Sequence, residues 1–348
     1  MTLSPSCSLP LRHDTVQLAH GGGGRLMREL IEQVFAAAFD NPVLAARHDS
    51  AVVPVEAARL AMTTDSYVVD PLFFPGGDIG KLAVVGTVND LCMAGAEPAY
   101  LTAGFVLEEG LPIDHLVRIV RSMADACSES GVTIVTGDTK VVDRGRGHGV
   151  YVNTAGVGWL RDGIDVRPSR IRPGDAVLLS GDVGRHGVAV MSVRAGLELG
   201  TDLESDCAPL AGPVRALIEA GVDLHCLRDL TRGGLASALA ELCLDAGVDV
   251  EIDEASVPVH DAVRGAAELL GLDPLYIANE GRMVVIVPRD DADRALQLLR
   301  GCPVSSGSVA IGCVSEKRRA FGLVSARGAF GGLRPLALQS GEQLPRIC

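Results

Sequence analysis

Residues 73–95 read FFPGGDIGKLAVVGTVNDLCMAG, and the rest of the chain is organised around this stretch. Asp78 stands before a run in which Ala, Leu and Val recur at helical spacing, and an Asp in that place caps the first free N–H groups of a helix. The pattern predicts a helix from Asp78 to the end of the stretch. A strand over about Pro98–Leu107 and a helix over about Leu111–Gly131, with its glycine as the stop, are predicted to follow.

Strands and helices alternate in the same way along most of the chain. Pro168, Pro173 and Gly174 interrupt the alternation, and a second series begins after them, so the sequence predicts an α/β (α+β) fold of two domains. The expected division is an N-terminal segment with a glycine-rich loop and helix at 1–44, domains at 45–166 and 167–326, and a flexible, extended tail at 327–348.

Composition excludes several classes of protein. The net charge of −13 and the 3% aromatic content speak against a nucleic-acid platform. No run of 18 apolar residues is present, and Met1–Pro10 lacks the features of a signal peptide, so neither a membrane partner nor export is expected. The nine cysteines form no CxxC pair. We therefore expect reduced thiols and a cytoplasmic location.

Four consecutive glycines, Gly21, Gly22, Gly23 and Gly24, follow His20 and precede a helical pattern. Glycines in that position let backbone N–H groups converge on an anion at a helix N-terminus. The spacing fits neither the dinucleotide nor the P-loop motif, and a flexible linker explains it equally well.

Aspartates recur in segments of small residues. Hard Mg²⁺ binds carboxylate oxygens and bridges them to phosphates, whereas a single loop Asp is usually a cap or turn residue. A shared metal site follows only if these side chains converge in space. The candidates are Asp65, Asp78, Asp90, Asp138 and Asp229.

Two further features carry possible chemistry. Lys140 follows a predicted strand at Thr133–Thr136 and would neutralise a phosphate, while Glu280 precedes another strand and would act as a general base; a surface ion pair is the alternative. Cys348 ends the chain. A terminal residue is usually frayed, but a thiol on a mobile arm is able to visit two active sites.

Taken together, these motifs resemble the HypE family of [NiFe]-hydrogenase maturation proteins, a branch of the PurM-like (AIR synthase-related) superfamily. The resemblance spans about His20 to Cys348, and the terminal cysteine is its most specific part. The segments that carry it are TDSYVV (64–69), FFPGGDIGKL (73–82), GTVND (86–90), GFVLEEG (104–110), GDTKVV (137–142), TRGGL (231–235), NEG (279–281) and PRIC (345–348).

The resemblance implies a two-domain PurM-like fold. In it, strands of the N-terminal domain form a β-barrel shared by a homodimer, the C-terminal domain is an α/β sandwich, and ATP with Mg²⁺ binds between the domains. It implies catalytic roles for Cys348, Glu280 and Lys140, and metal binding by the five aspartates. The residues implied to bind nucleotide are His20, Gly21, Gly22, Gly23, Gly24, Lys81, Asn89, Thr139 and Arg232.

The resemblance further implies a carbamoyl dehydratase. The terminal thiol would receive a carbamoyl group from the carbamoyltransferase HypF, and ATP would drive its dehydration to a thiocyanate. The cyanide would then pass to a HypC–HypD complex for the hydrogenase iron. Two alternatives remain open: another PurM-like ATP-dependent enzyme, of the AIR synthase or thiamine-phosphate kinase type, and a non-catalytic thiol scaffold.

Overall fold

The structure, a computed structural model, describes residues 13–21, 29–42, 59–196, 203–317, 320–338 and 347. Sequence-based expectations for the loop glycines 22–24, for residues 339–346 of the tail and for the thiol of Cys348 lie outside these residues. Within the described residues no helix is long and apolar enough to cross a membrane.

The described elements alternate as expected. A helical turn spans Leu18–Gly21, and a π-helical turn spans Ile31–Phe35. The strands and the longer helices that follow are numbered separately, each in chain order. The strands are β1 Arg59–Tyr67, β2 Phe73–Phe74, β3 Gly77–Asp78, β4 Glu97–Glu108, β5 Thr133–Val142, β6 Val150–Leu160, β7 Ala176–Leu179, β8 Cys226–Asp229, β9 Asp249–Asp253, β10 Met283–Val287, β11 Val309–Ser315, β12 Val324–Arg327 and β13 Leu333–Leu336. The longer helices are α1 Ile79–Met93, α2 Ile113–Ser130, α3 Arg185–Ala195, α4 Ala211–Glu219, α5 Gly234–Ala246, α6 Asp261–Leu270 and α7 Ala292–Arg300.

The first sheet has the order β1-β6-β4-β5, with β4 and β5 parallel and the other pairs antiparallel. Helix α1 packs against one face of this sheet, and α2 packs on α1. The opposite face carries exposed apolar side chains, among them Leu60, Met62 and Val106. An apolar sheet face left open in this way indicates a surface that another molecule covers.

The second sheet has seven strands in the order β13-β12-β9-β11-β7-β10-β8. Strand β10 is buried along its whole length, as a strand covered on both faces should be. Its neighbour β8 ends at Asp229, beside the C-terminal part of α1 from the first sheet. The meeting of β8 with α1 places side chains of both halves of the chain next to one another.

Helix α1 begins and α2 ends as the sequence indicates. The Asp78 side chain accepts hydrogen bonds from Gly80 N at 2.8 Å and Lys81 N at 3.0 Å, which satisfies two of the free donors at the start of α1. Gly131 closes α2 in the left-handed region at φ 71°. Both predictions about helix ends are confirmed.

Several boundaries differ from the expectation. The strand predicted at 133–136 runs on to Val142, so the GDTK segment lies within β5 and not in a loop after it. The TDSY segment likewise lies at the end of a long strand, β1. Helix α5 begins only at Gly234, because residues 231–233 form a turn in which Gly233 adopts φ 74°.

The prediction of an extended tail from residue 327 is wrong for part of that segment. Strand β13 pairs antiparallel with β12, and a tight turn through Gly328–Gly332 joins them, with Gly331 at φ 80°. Ile347 is buried as well. The glycines that suggested a loose tail form the turn of a hairpin, which sequence spacing alone did not reveal.

We predict that Asp78→Ala destabilises the protein by about 0.5–2 kcal/mol, the usual cost of losing a helix cap. Asp78→Asn keeps an acceptor oxygen and should cost less. Urea unfolding of both variants measures the difference. If Asp78 bound a metal ion instead, Asp78→Asn would keep the native stability to urea but would bind Mg²⁺ more weakly.

Candidate active site

A cavity of about 290 Å³ lies where β1 and α1 meet β8 and α5. Polar and charged side chains dominate its wall, so it suits a charged ligand better than an apolar one. The lining residues are Asp65, Ser66, Tyr67, Gly86, Asp90, Arg228, Asp229, Thr231, Arg232, Ala238, Glu241 and Glu280.

Four carboxyl groups near this cavity influence one another. Burial, reinforced by the charges of Asp229 and Asp65, raises the pKa of Asp90 to about 7. Burial raises the pKa of Asp229 to about 6, with Asp65 adding to the effect. Burial raises the pKa of Glu280 well above its ordinary value, and the nearby aspartates raise it further. The site therefore has more negative charge than it can ionise without a compensating cation.

Glu280 is held by its backbone while its side chain remains available. Its N–H and that of Gly281 donate to the Asp206 carboxylate at 3.3 and 3.2 Å, and its carbonyl accepts from Asn89 Nδ2 at 3.1 Å. The side chain is buried, and Glu280 Oε1 has no hydrogen-bond partner. A buried carboxyl oxygen without a partner is costly, which points to a ligand or a proton that completes it.

The close approach of two loops fixes this arrangement. A Cβ added to Gly281 would lie 2.0 Å from the Asp206 carbonyl oxygen, so no other residue fits there without moving the loop. Asn89 binds the same loop from α1, since its Oδ1 accepts from Leu210 N at 2.8 Å. Glu280 is thus positioned by both halves of the chain.

The structure brings some of the predicted site residues together. Asp65, Asp90, Asp229, Arg232 and Glu280 line the cavity. Among the described residues, no group of three or more His, Cys, Asp or Glu side chains has the geometry to hold a metal ion by itself. The donor set nevertheless fits Mg²⁺, which uses one or two carboxylates and completes its shell with water and phosphate oxygens.

Other predicted residues are not among those that line the cavity. Asp78 is occupied as the cap of α1, and the Asn89 amide bonds to backbone groups. Lys81 Nζ donates to the Gly76 carbonyl at 3.2 Å, and Thr139 is buried in β5. His20 is buried, and its Nδ1 accepts from Gln17 N at 2.9 Å, in the turn that Gly21 ends.

Asp138 and Lys140 form an ion pair of 3.0 Å with both side chains 63% exposed. They lie on the outer face of the first sheet, because β5 is a strand there and not the loop that the sequence suggested. Within one copy of the chain the structure does not bring Lys140 to Glu280, nor Asp138 to the other aspartates.

Sequence reasoning missed some residues that shape the cavity. Tyr67 OH lies 3.3 Å from Asp65 Oδ2, and it occupies the space that a side chain at position 86 would need, where a Cβ would approach it to 2.3 Å. Both residues lie in segments that the sequence analysis singled out, TDSY and GTVND. Only the structure shows that Tyr67 leaves no room for a side chain at position 86, which explains the glycine there. Asp206 carried no motif at all.

Comparisons with known proteins bear on this geometry. The N-terminal domain model of AIR synthase related proteins matches residues 47–160, and the C-terminal domain model matches residues 172–324. The carbamoyl dehydratase HypE of Azotobacter vinelandii is 49% identical over 340 residues, covering 98% of this chain and 99% of the relative. The chain belongs to the HypE family.

Solved structures agree with this membership. A HypE crystal structure in complex with ATP has a TM-score of 0.92 and 47% identity, covering 96% of this chain and 100% of that one. A HypE–HypF complex contains a chain with a TM-score of 0.78 and 45% identity, covering 89% and 99%. The two-domain PurM-like fold is thereby confirmed, and the other PurM-like activities and the thiol scaffold are not favoured.

We predict that Asp90→Asn stabilises the metal-free protein more at pH 8 than at pH 5. The pKa of Asp90 is about 7 in the folded state, against an ordinary value near 4 when unfolded. Between these values the folded state holds the extra proton, so its stability falls as pH rises. The gain at pH 8 should be on the order of 2–4 kcal/mol.

Urea unfolding in the presence of a chelator measures this gain. Asp138→Asn is the control, because its hydrogen bond to Lys140 lowers the pKa of Asp138 and the gain should be absent. Equal pH profiles for Asp90→Asn and the native chain would show that folding does not raise the pKa of Asp90.

Proposed function

We propose that this chain catalyses the ATP-dependent dehydration of an S-carbamoyl group on Cys348 to a thiocyanate. The observation that carries the proposal is Glu280, a buried carboxyl with an unpartnered oxygen at a cavity of acidic side chains, in a HypE family chain that ends in cysteine. A buried base with a raised pKa at a charged cavity suits removal of a proton from nitrogen.

The reaction balances with one ATP. Transfer of the γ-phosphoryl group to the carbamoyl oxygen turns a poor leaving group into a good one. Loss of both protons from the nitrogen then breaks the carbon–oxygen bond, releases phosphate and leaves S–C≡N. Glu280 takes one nitrogen proton on its carboxylate, and the other proton is released to solvent.

Bound ATP and Mg²⁺ would supply the phosphoryl group and neutralise its charge. One or two of the carboxyl groups of Asp65, Asp90 and Asp229 would bind the metal directly, with water and phosphate oxygens completing its shell, since a cation offsets their burial and mutual repulsion. Arg232 also lines the cavity, and we propose that it binds a phosphate oxygen. His20 and the glycines that follow it remain candidates for the nucleotide, and Lys140 remains a candidate for orienting the carbamoyl group.

The partners we propose follow from the same chemistry. A HypE–HypF complex is known among the solved relatives, so HypF is proposed as the carbamoyl donor. A HypC–HypD complex is proposed as the acceptor of the cyanide. The cysteines that the structure describes carry no disulfide, which suits the reducing cytoplasm that a free terminal thiol requires.

We further propose a homodimer that closes the outer face of the first sheet. Leu60 and Met62 on β1 and Val106 on β4 are exposed there, and Met62 is 74% exposed. A second copy of the chain would bury these side chains and complete the barrel that the family resemblance implies. Asp138 and Lys140 lie on the same face, so the second copy would also remove them from solvent.

For the chemistry, we predict that Glu280→Gln accepts the carbamoyl group on Cys348 but dehydrates it about 10²–10⁴ times more slowly, because the amide is not a base. Single-turnover mass spectrometry after adding ATP measures the loss of one water. Cys348→Ala should acquire no adduct at all. Normal thiocyanate formation by Glu280→Gln would remove Glu280 from the mechanism.

For the assembly, we predict that Met62→Asp converts the dimer into monomers, because the dimer would have to bury the new carboxylate among apolar side chains. Analytical ultracentrifugation measures the mass. Leu269→Asp is the matched control, because Leu269 is 80% exposed on α6 in the other domain. A dimer that survives Met62→Asp would place the interface elsewhere.

A further inference from the structure

The terminal segment of the chain contacts the protein at a histidine that the proposed chemistry does not use. His186 lies at the start of α3 and is fully buried. Its Nε2 lies 3.0 Å from the carbonyl oxygen of Ile347, and the Ile347 side chain is buried in the hydrophobic core. Ile347 directly precedes Cys348, so this contact fixes the peptide to which the reactive thiol is attached.

The hydrogen bonds around His186 have a definite direction. Because a carbonyl only accepts, Nε2 must carry the proton and donate to Ile347. Burial lowers the pKa of His186, so the ring is neutral and its Nδ1 accepts from Ser205 Oγ at 2.8 Å. Ser205 Oγ in turn accepts from Cys207 N at 3.1 Å. Phe74 packs edge-on against the ring with centroids 5.3 Å apart.

The loop at residues 205–207 joins this histidine to Glu280. Asp206 lies between the two residues that bond towards His186, and its carboxylate accepts from the backbone of Glu280 and Gly281. Ser205 is clamped from the other side, since a Cβ at Gly76 would lie 2.8 Å from its nitrogen. A loop packed this tightly transmits a displacement at one end to the other.

The start of α3 provides a second connection. Gly184 N donates to Asn279 Oδ1 at 2.6 Å, and Gly187 N donates to the Ala278 carbonyl at 3.1 Å. Residues on both sides of His186 are therefore bonded to the segment that leads into Glu280. Two independent paths connect the carbonyl of Ile347 to the candidate base.

We propose that His186 is the positioning residue for the terminal segment, and that the loop at 205–207 couples the seating of Ile347 to the placement of Glu280. The role rests on the proposed function, because a seated terminus matters only if Cys348 carries the reacting group. His186 itself acts through Ile347 and Ser205, and it touches no reacting atom.

Two amide variants test the contact. His186→Gln places an N–H near the position of Nε2 and should keep Ile347 seated, whereas His186→Asn reaches only the position of Nδ1 and should release it. The measurement is the rate at which iodoacetamide alkylates Cys348, read by peptide mass spectrometry on the full chain without nucleotide. We expect His186→Asn to react roughly three- to tenfold faster than the native chain, as for one lost hydrogen bond.

Val188→Ala is the matched control for damage to the core. Val188 is buried on the same helix and lies in a core cluster separate from that of Ile347. In this variant, iodoacetamide should alkylate Cys348 at the native rate. Protection of Cys243, which is buried on α5 away from the 205–207 loop, reports in every variant that the fold is intact.

Ser205→Ala tests the coupling separately. It leaves the bond from His186 to Ile347 but removes the link towards Cys207 and Asp206. We expect near-native alkylation of Cys348 and a roughly three- to tenfold slower loss of water from the carbamoylated chain. This split between access and chemistry is one that a merely structural role for Ser205 would not produce.

The outcomes separate the two proposals. If the native carbamoylated chain does not lose water with ATP, the proposed function fails, while the alkylation rates still judge the contact. If the native chain loses water and Cys348 is alkylated in both amide variants at the same rate as in Val188→Ala, His186 does not position the terminus. Native dehydration by Ser205→Ala would overturn the coupling.

Discussion

The excess of negative charge at one cavity is the constraint on which the rest of the structure depends. Asp65, Asp90, Asp229 and Glu280 come from four different segments, and folding brings their carboxyl groups together against their own repulsion. Burial and packing of two large apolar cores supply the free energy that allows this arrangement. A cation bound at such a site would offset both the burial and the repulsion of these carboxyl groups.

The scaffold makes that arrangement precise. Helix α1 belongs to the first domain, and its Asn89 bonds to backbone groups of the second domain on either side. Such a polar link is strong only when every group is satisfied, and Asn89 meets this condition through three bonds. Helix α1 carries both Asn89 and Asp90. By bonding to the Glu280 backbone through Asn89, it therefore fixes the distance between Asp90 and Glu280 across the cavity.

The sequence allowed much of the fold to be predicted, because helix ends and buried strands depend on local patterns. The cap at Asp78, the stop at Gly131 and the strand β4 follow from residue type and spacing. The hairpin of β12 and β13 was missed, since its four-residue strands are too short to show a period.

The site was predicted only in part, for a related reason. Asp65, Asp90, Asp229, Arg232 and Glu280 do line one cavity, as the motifs suggested. Asp78 was also a metal candidate, but its side chain is occupied as the helix cap that the sequence predicted, and Asp138 faces outward. A short polar segment does not reveal which side of a sheet it faces until the register is known. Asp206 and His186 lie in no motif that the sequence analysis singled out, and their contacts are known only from the structure.

The hairpin also bears on the kinetics of any reaction at the terminus. Strand β13 anchors the chain at Leu336, and eleven peptide units lead from there to Ile347, a tether that reaches at most about 40 Å. A group carried at the end of a chain meets catalytic groups of the same molecule at an effective concentration that depends on the length of the connection. Dilution of the protein would leave that encounter unchanged, and each molecule would process its own cargo once before a partner must unload it.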